Sequence, residues 1–247
     1  MLVKDLSLST PQENLLLDDV LLYLAELGQS PELLRFWESA QLFIVLGRTS
    51  KVEEDIYIER AYRDHIPVFR RSSGGGTVIQ GPGCLNYSFV LAKEHHPSIM
   101  DIRKSYQYIL NKVIIAMASL GVQSIFQPIS DLVLQEGQRK FSGNAQRRGK
   151  RFILHHGTIL YHFDITKMEG YLKVPKDFPV YRKNRLHQQF VKNIPASPPE
   201  IKKAIAEVFE GNRQEDRLNR REQESLQYFL QTKNLAINLQ ELINCNK

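Results

Sequence analysis

The sequence predicts an α+β fold in which a mixed β-sheet is flanked by helices. Apolar residues recur at helical spacing near both ends of the chain, and short β-type segments follow one another in its middle. Several of these segments are joined by short turns containing glycine, which is typical of hairpins. Helices placed around a series of short, partly hairpin-linked strands indicate an α+β domain with a mixed sheet.

Five segments have helical periodicity, and two of them open with a capping signature. Thr10 and Glu13 enclose Pro11 as a capping box does, and Ser197 with Glu200 repeats the arrangement. These signals place the helix starts, and the apolar stripes that follow give the helix lengths. We predict helices at residues 10–28, 52–63, 98–117, 197–208 and 222–243.

The predicted strands are short, apolar or aromatic, and bounded by glycine or polar residues. We predict them at residues 34–38, 42–46, 67–71, 77–80, 85–91, 131–134, 140–145 and 152–163. Residues 147–150 are rich in arginine and glycine between two such strands, and we interpret them as a hairpin turn. No internal repeat and no composition shift marks a linker, so a single domain is expected.

The chain is moderately basic, with 33 Lys and Arg against 27 Asp and Glu. Such a charge would suit nucleic acid, nucleotide phosphates or an acidic protein partner. No zinc finger, helix-turn-helix or RNP pattern is present, so we predict no nucleic-acid partner, and a solvated basic face remains an alternative to a functional one. The basic clusters are Arg147, Arg148, Lys150 and Arg151; Arg182, Lys183 and Arg185; and Arg213, Arg217, Arg220 and Arg221.

Two further features concern the cellular compartment. No apolar run approaches the roughly 18–20 residues that a membrane span needs, and the first residues have acids where a signal peptide has an apolar core. Cys84 and Cys245 are the only cysteines, which excludes a disulfide framework. We therefore expect a cytoplasmic protein without a membrane partner.

The most informative segment is the glycine-rich stretch RRSSGGGTV, which begins at Arg70. Three successive glycines allow backbone N–H groups to approach a ligand closely, and the flanking arginines favour an anion such as phosphate or carboxylate. The stretch lacks the Gly-Lys-Ser/Thr of a Walker loop, and a strand follows it where a dinucleotide fingerprint has a helix. Taken alone, a glycine triplet between strands is more often a tight turn or a bulge than a ligand site.

Two later segments add polar residues inside predicted strands. Lys140 stands near Gly143, where an ammonium group would face whatever covers the sheet, although a solvated lysine is the ordinary alternative. His155 and His156 are neighbours on a strand and must point to opposite faces. Because no Cys, Asp or Glu lies at zinc spacing near them, we predict no metal site.

The order and spacing of RRSSGGG, GPGCLNYSF, DLVL, RKFSGNAQ and HHGTIL resemble the lipoate–protein ligase family, which is related to octanoyltransferases and to the catalytic domain of biotin–protein ligases. The resemblance covers about residues 14–209. It implies a single catalytic domain of the biotin/lipoate protein ligase type over residues 1–247. The core is expected at about 14–210 and a helical C-terminal extension at about 211–247, without a large accessory domain.

The resemblance also implies roles for individual residues. Lys140 is expected to be the catalytic group, which contacts both the nucleotide phosphate and the acyl carboxylate, and Asp131 to support it. The residues implied in binding ATP or the adenylate are Arg71, Gly74, Gly75, Gly76, Thr77, Val78, Ile79 and Lys140. The residues implied in binding the acyl group are Lys140, Gly143, Asn144, His156 and Gly157.

By the same resemblance, the reaction is lipoate–protein ligation. Lipoate or octanoate would be activated with ATP and Mg²⁺ to an acyl-adenylate, and the acyl group would pass to a lysine of a lipoyl domain. The implied acceptors are subunits of 2-oxoacid dehydrogenases or the glycine cleavage H protein. A separate accessory chain is a further implied partner, because some lone catalytic domains of this family need one to form the adenylate.

Two alternatives stay open at this point. An octanoyl or lipoyl transferase would work without ATP through a cysteine thioester, and Gln80-Gly81-Pro82-Gly83 stands where many ligases have a histidine followed by aspartate. However, residues 121–139 and 157–244 contain no cysteine, and these are the regions where the family's transferases have theirs. We interpret Cys84 as a small buried strand residue. A non-catalytic member that only binds lipoyl domains would not need the glycine triplet together with Lys140.

Overall fold

The computed structural model describes residues 1–175 and 178–245, which form two β-sheets with flanking helices. The strands of this part are β1 Leu2–Asp5, β2 Leu33–Trp37, β3 Phe43–Leu46, β4 Val68–Arg70, β5 Val78–Gln80, β6 Cys84–Ala92, β7 Ser124–Gln127, β8 Asp131–Leu134, β9 Lys140–Arg148, β10 Phe152–Leu160 and β11 Arg213–Glu215. Its helices are α1 Pro11–Glu26, α2 Val52–Asp55, α3 Ile58–Arg63, α4 Ile102–Ser119, α5 Thr166–Tyr171, α6 His187–Phe190, α7 Pro198–Val208, α8 Arg220–Thr232 and α9 Leu239–Cys245.

The larger sheet has eight strands in the order β11-β1-β2-β6-β10-β9-β8-β7. Strand β1 runs parallel to β11 and β2, whereas the remaining neighbours pair antiparallel. The smaller sheet has the order β4-β3-β5, with β3 parallel to β4 and antiparallel to β5. This mixed sheet with flanking helices confirms the predicted α+β class.

Helices α4 and α7 cover one face of the large sheet. Their apolar stripes pack on the alternate residues of β6 and β10 that point to this side, among them Phe89 and Ile153. The opposite face is shared by α1, which packs on Val90 and Leu154, and by the small sheet. All nine residues of β6 are therefore buried, since this central strand is covered on both faces.

The capping signatures predicted from the sequence are present. Thr10 Oγ1 accepts a hydrogen bond from the backbone N–H of Glu13, whose carboxylate accepts one from the N–H of Thr10. The Glu200 carboxylate accepts the corresponding bond from the N–H of Ser197. Each pairing satisfies N–H groups that have no partner within the helix, and so fixes where α1 and α7 begin.

Three predicted elements differ from the structure. The helix expected at 52–63 is split into α2 and α3, because Ile56 leaves the helical conformation and forms an isolated bridge with Leu172. The helix expected at 222–243 is likewise split into α8 and α9. The hairpin turn expected at 147–150 begins later, because β9 continues through Arg148.

Candidate active site

A cavity of about 350 Å³ lies over the face of the large sheet that is covered by the small sheet. Of the predicted site residues, all but Gly74 line this cavity, and Gly74 belongs to the same loop. The lining includes Arg71, Gly75, Gly76, Thr77, Val78, Ile79, Asp131, Lys140, Gly143, Asn144, His156 and Gly157. The chain thus brings together segments that are far apart in sequence, around one cavity.

The glycine loop runs from the end of β4 to the start of β5 and is held by Arg71. The guanidinium Nη2 donates hydrogen bonds to the carbonyl oxygens of Gly74 at 2.7 Å and Gly76 at 2.8 Å. Its Nε donates to Ser73 Oγ at 3.0 Å, and burial lowers the pKa of Arg71 to about 10. The donors of Arg71 are therefore directed at the loop itself, so that Arg71 fixes the conformation of the loop.

The same loop depends on a glycine that the sequence analysis did not single out. A Cβ atom placed on Gly47, next to the end of β3, would overlap the carbonyl group of Gly75. Gly75 itself has φ of +82°, a left-handed conformation that favours glycine. Only a residue without a side chain at position 47 lets the loop lie this close to the small sheet.

His156 connects the large sheet to the loop. Its Nε2 lies 2.7 Å from Ser73 Oγ, and the pKa of His156 falls to about 3 because of burial and the nearby charge of Arg71. The imidazole is therefore neutral at physiological pH. His155 points to the other face, where its ring packs against Tyr106, so the prediction that the two histidines face opposite sides is confirmed.

A β-bulge sets the direction of Lys140. Strands β8 and β9 pair Leu132 with Ser142 but Val133 with Lys140, which leaves Phe141 as the extra residue. In a regular strand, side chains three positions apart point to opposite faces. The extra residue brings Lys140 to the same face as Gly143, and a Cβ on Gly143 would lie only 2.8 Å from the Nζ atom.

The ammonium group of Lys140 is paired with Asp131. The Nζ atom lies 2.8 Å from Asp131 Oδ1, and the other carboxylate oxygen accepts a hydrogen bond from the hydroxyl of Tyr181. Burial, together with the charge of Asp131, raises the pKa of Tyr181, which therefore stays protonated. The carboxylate thus orients Lys140 and ties it to the segment that contains Tyr181.

Asn144 and Gly157 contribute from the opposite face of the sheet. Asn144 Oδ1 accepts a hydrogen bond from the hydroxyl of Tyr87, and its Nδ2 donates to the carbonyl oxygen of Ser130 at 2.9 Å. A Cβ on Gly157 would overlap Asn144 Oδ1 and press on the Tyr87 ring. The side chain of Asn144 therefore braces the strands behind the cavity.

A polar row that connects the small sheet to the large sheet was missed by the sequence analysis. Gln80 Nε2 donates to Thr158 Oγ1 at 3.0 Å, which in turn donates to Asn86 Oδ1 at 2.7 Å. The atoms Trp37 Nε1, Gln80 Oε1 and Asn86 Nδ2 are buried and have no hydrogen-bond partner in the part of the chain that the structure describes. The sequence could have indicated this row, since Asn86 is a polar residue within an apolar strand.

Helix α1 is tied to the site by two acidic residues. Asp18 pairs with buried Arg35 at 2.7 Å. Asp19 pairs with Arg147 at 2.8 Å and accepts a hydrogen bond from Ser72 in the glycine loop. These contacts connect α1, the loop and β9.

The predicted basic surface at 147–150 is not continuous. Arg147 faces α1, whereas Arg148 points to the other side of the sheet and donates to the carbonyl oxygens of Ile99 and Met100. Neighbouring strand residues alternate between faces, which the assignment of this segment to a turn overlooked.

Within residues 1–175 and 178–245, no three His, Cys, Asp or Glu side chains are grouped closely enough to hold a metal ion. In the same part of the chain, every helix is too short or too polar to cross a bilayer.

The fold and the cavity define an α+β domain of the type predicted from the motifs, with a glycine loop and a strand lysine on one cavity. Residues 10–210 match the profile of the family described as lipoyl protein ligase A/B catalytic domain, and the chain belongs to that family. It is 31% identical over 191 residues to the probable lipoate-protein ligase A of Mycoplasma pneumoniae, covering 77% of this chain and 54% of the relative. The corresponding protein of Mycoplasma genitalium is 30% identical over 166 residues, covering 67% of this chain and 47% of that protein. The chain thus spans about half the length of these curated relatives.

Solved structures share the fold. A lipoate-protein ligase A bound with ATP aligns with a TM-score of 0.78 at 22% identity, covering 94% of both chains. A chain from the archaeal lipoylation system of Thermoplasma acidophilum, described as a bi-partite lipoate protein ligase and its E2 lipoyl domain, aligns with a TM-score of 0.77, also at 22% identity and 94% coverage of both chains.

Proposed function

We propose that this protein is a lipoate–protein ligase that works through a lipoyl-adenylate. The observation that carries the proposal is the position of Lys140, whose ammonium group faces the cavity beside Asp131 and opposite the glycine loop. The names of the curated relatives and the ATP bound to a similar structure support the same reaction.

The first step joins lipoate to AMP. A carboxylate oxygen of lipoate attacks the α-phosphorus of ATP, the bond from this phosphorus to the bridging oxygen of the β-phosphate breaks, and pyrophosphate leaves. Negative charge accumulates around the α-phosphate, and a fixed ammonium group stabilises it. Lys140 is placed to supply this charge, and Mg²⁺ would enter with ATP as part of the substrate.

The second step transfers the acyl group. The amine of an acceptor lysine attacks the acyl carbon, the bond from this carbon to the phosphate oxygen breaks, and AMP leaves while the amine loses a proton. The acyl chain would lie in the part of the cavity lined by Leu15, Trp37 and Val45, beside neutral His156. An apolar lining suits a medium-chain acid, lipoate or octanoate.

The acceptor would be a lipoyl domain, of a 2-oxoacid dehydrogenase subunit or of the glycine cleavage H protein. The similar archaeal ligase, which is described together with its E2 lipoyl domain, supports this class of partner. Because that similar ligase is described as bi-partite, a separate accessory chain belongs to the proposal.

The transferase alternative requires a reactive thiol. Cys84 is fully buried in β6, and burial raises its pKa to about 12, so that it carries no thiolate at physiological pH. The side chain of Cys245 lies outside the described residues. The geometry of Cys84 therefore favours the ATP-dependent route.

The decisive experiment incubates the purified chain with lipoate, ATP, Mg²⁺ and an apo lipoyl domain. A ligase adds one lipoyl group to the acceptor, which mass spectrometry detects, and does so only when ATP is present. Modification from an acylated carrier without ATP would establish the transferase instead. Binding of the acceptor without pyrophosphate release, in the presence of a candidate accessory chain, would identify a non-catalytic member.

A further inference from the structure

Residues 178–191, here called the cover segment, lie across the Lys140 side of the cavity. The backbone next to this segment is fixed to Lys140 by a hydrogen bond from the N–H of Lys192 to the carbonyl oxygen of Lys140 at 2.9 Å. The hydroxyl of Tyr181 is bonded to Asp131. These contacts hold the cover segment beside the paired lysine and carboxylate.

One cation of the cover segment is buried in the cavity wall. Arg182 is only 4% exposed, and its side chain lines the same cavity as Lys140. Its Nε donates to the carbonyl oxygen of Arg185 at 3.0 Å, and its guanidinium lies over the ring of Phe190, 4.8 Å from the ring centroid. The Nη2 atom is buried and has no hydrogen-bond partner among the described residues.

The ion pairing of Arg182 also differs from that of Lys140. Within the described part of the chain, no carboxylate lies within ion-pair distance of its guanidinium, whereas Lys140 has Asp131. Burial lowers the pKa of Arg182, which reports the cost of removing its charge from water. The neighbouring His187 is neutral, since burial and the charge of Arg182 lower its pKa to about 4. Among the described residues, Asp131 acts on Arg182 only from beyond ion-pair distance, and no carboxylate pairs directly with its guanidinium.

Arg185 differs from Arg182 in its hydrogen bonding, although the two arginines are close in the sequence. Arg185 belongs to the same segment and also lies over Phe190. However, its guanidinium donates to backbone carbonyl oxygens of Gly137, Gln138, Tyr181 and Arg182. Arg185 thus joins the cover segment to the β8–β9 turn, while Arg182 keeps a free donor.

A buried cation with an unpaired hydrogen-bond donor raises the free energy of the folded protein unless an anion binds to it. We infer that Arg182 binds a phosphate oxygen of the nucleotide through its unpaired Nη2 atom. ATP carries several negative charges, more than Lys140, which is also paired with Asp131, can balance alone. The donors of Arg71 are committed to the glycine loop. Arg182 supplies the second cation that a polyphosphate requires. This inference rests on the proposed function only in naming ATP as the nucleotide.

The test measures equilibrium binding by calorimetry for the full chain and three variants. Arg182→Gln removes the charge and the hydrogen-bond donors of the guanidinium group, whereas Arg182→Lys keeps only the charge. Lys183→Gln removes an exposed charge from the same segment and serves as the control. We expect Arg182→Gln to weaken ATP binding about 10- to 100-fold, the scale of one charged hydrogen bond. The ATP affinity of Arg182→Lys should lie between those of the wild type and Arg182→Gln. The Lys183→Gln variant should change ATP affinity less than twofold.

Two further measurements separate phosphate binding from other roles. The affinity for lipoate in the absence of ATP should be unchanged in Arg182→Gln, because the contact is made to the nucleotide. The melting temperature of the unliganded variant should not fall, since an unpaired buried charge has been removed, but its rise on adding ATP should shrink. A structural role for Arg182 would lower the unliganded melting temperature instead.

The inference is overturned if Arg182→Gln binds ATP as the wild type does, or if lipoate binding alone weakens, which would assign the residue to the acyl carboxylate. Wild-type chain that binds ATP but forms no lipoyl-adenylate, either alone or with the accessory chain, would refute the proposed function and leave the comparison of Arg182 variants valid. Wild-type chain that binds neither ATP nor inorganic pyrophosphate would overturn the inference itself.

Discussion

Lys140 and Asp131 form an ion pair across β9 and β8, with Nζ 2.8 Å from Oδ1, at a point where the pairing of the two strands contains one extra residue. The bulge at Phe141 directs the lysine into the cavity, and the carboxylate together with Tyr181 limits its motion. In the proposed reaction, a lysine held in this way would be preorganised to stabilise the charge that develops on a phosphate, because little reorganisation would be needed.

Replacing Lys140 should therefore remove activity without unfolding the chain. We expect Lys140→Ala to lower the rate of lipoyl-adenylate formation by about two to three orders of magnitude, the scale of one lost charge-stabilising donor. Asp131 keeps its bond to Tyr181, so the circular dichroism spectrum should stay unchanged. Lys150→Ala, at an exposed position after β9, is the matched control. Near-normal ligation by folded Lys140→Ala would exclude the lysine from the mechanism.

Gly143 tests the position of the same ammonium group. A Cβ on Gly143 would lie 2.8 Å from Nζ and 2.9 Å from Cε of Lys140, so the end of the lysine must move away from Asp131. We expect Gly143→Ala to reduce adenylation about 10- to 100-fold, since misplacement by about 1 Å has effects of this size. The free energy of unfolding should change little, because the end of a lysine side chain can adjust.

Gly157→Ala is the contrasting variant. Its Cβ would meet the carbonyl end of Asn144 and the ring of Tyr87, which are packed in the core behind the cavity. We expect the free energy of unfolding to fall by about 1–3 kcal/mol, as overpacking of a core does. Both predictions are checked by measuring urea denaturation and the rate of adenylation for Gly143→Ala and Gly157→Ala. Equal stability loss in the two would contradict the assignment of Gly143 to the lysine.

The sequence predicted the glycine loop and Lys140 because both depend on local residue types. The direction of Lys140 could not be predicted, since it follows from a bulge that appears only when β8 and β9 pair. Strands β1, β7 and β11 were missed because their sequences, LVKD, SIFQ and RQE, place charged or polar residues beside at most two apolar ones, so that the strand conformation depends on pairing with neighbouring strands.

The surroundings of the charged residues could not be predicted from the sequence either. Arg182 was grouped with Lys183 and Arg185 as a basic surface, but the cover segment turns Arg182 inward and leaves Lys183 exposed. Arg147 and Arg148 belong to one basic cluster in the sequence, and the pleat of β9 points them to opposite faces of the sheet. A count of charges along the sequence contains no information on which side chain the fold buries.

The stability of the chain should depend on pH through His155. This residue is fully buried, and burial lowers its pKa to about 3, compared with about 6.5 for an exposed histidine. Between these pH values the unfolded chain binds a proton that the folded chain does not, so the free energy of unfolding falls as the pH falls. His155 alone should contribute about 1.4 kcal/mol per pH unit below pH 6.5.

The variant His155→Gln isolates this contribution, because glutamine can still hydrogen-bond with Gln146 but does not titrate. Urea unfolding of the wild type and the variant at pH 7.5, 5.5 and 4.5 gives the pH dependence of the free energy of unfolding for each protein. We expect the variant to be less stable at pH 7.5 and the difference to narrow at lower pH. Parallel slopes would mean that His155 is accessible to protons in the folded chain.

Cys84 gives the last prediction, which separates the ligase from the thioester route. In the Cys245→Ser background, Cys84 is the only thiol of the chain. Because it is fully buried and its pKa is raised to about 12, iodoacetamide should not modify it in the folded protein, and ATP-dependent ligation should survive the treatment. Adding Cys84→Ala should cost about 1 kcal/mol of stability from the small space left in the core, with turnover retained. Loss of turnover in folded Cys84→Ala, or an acyl group trapped on Cys84, would assign the reaction to a transferase.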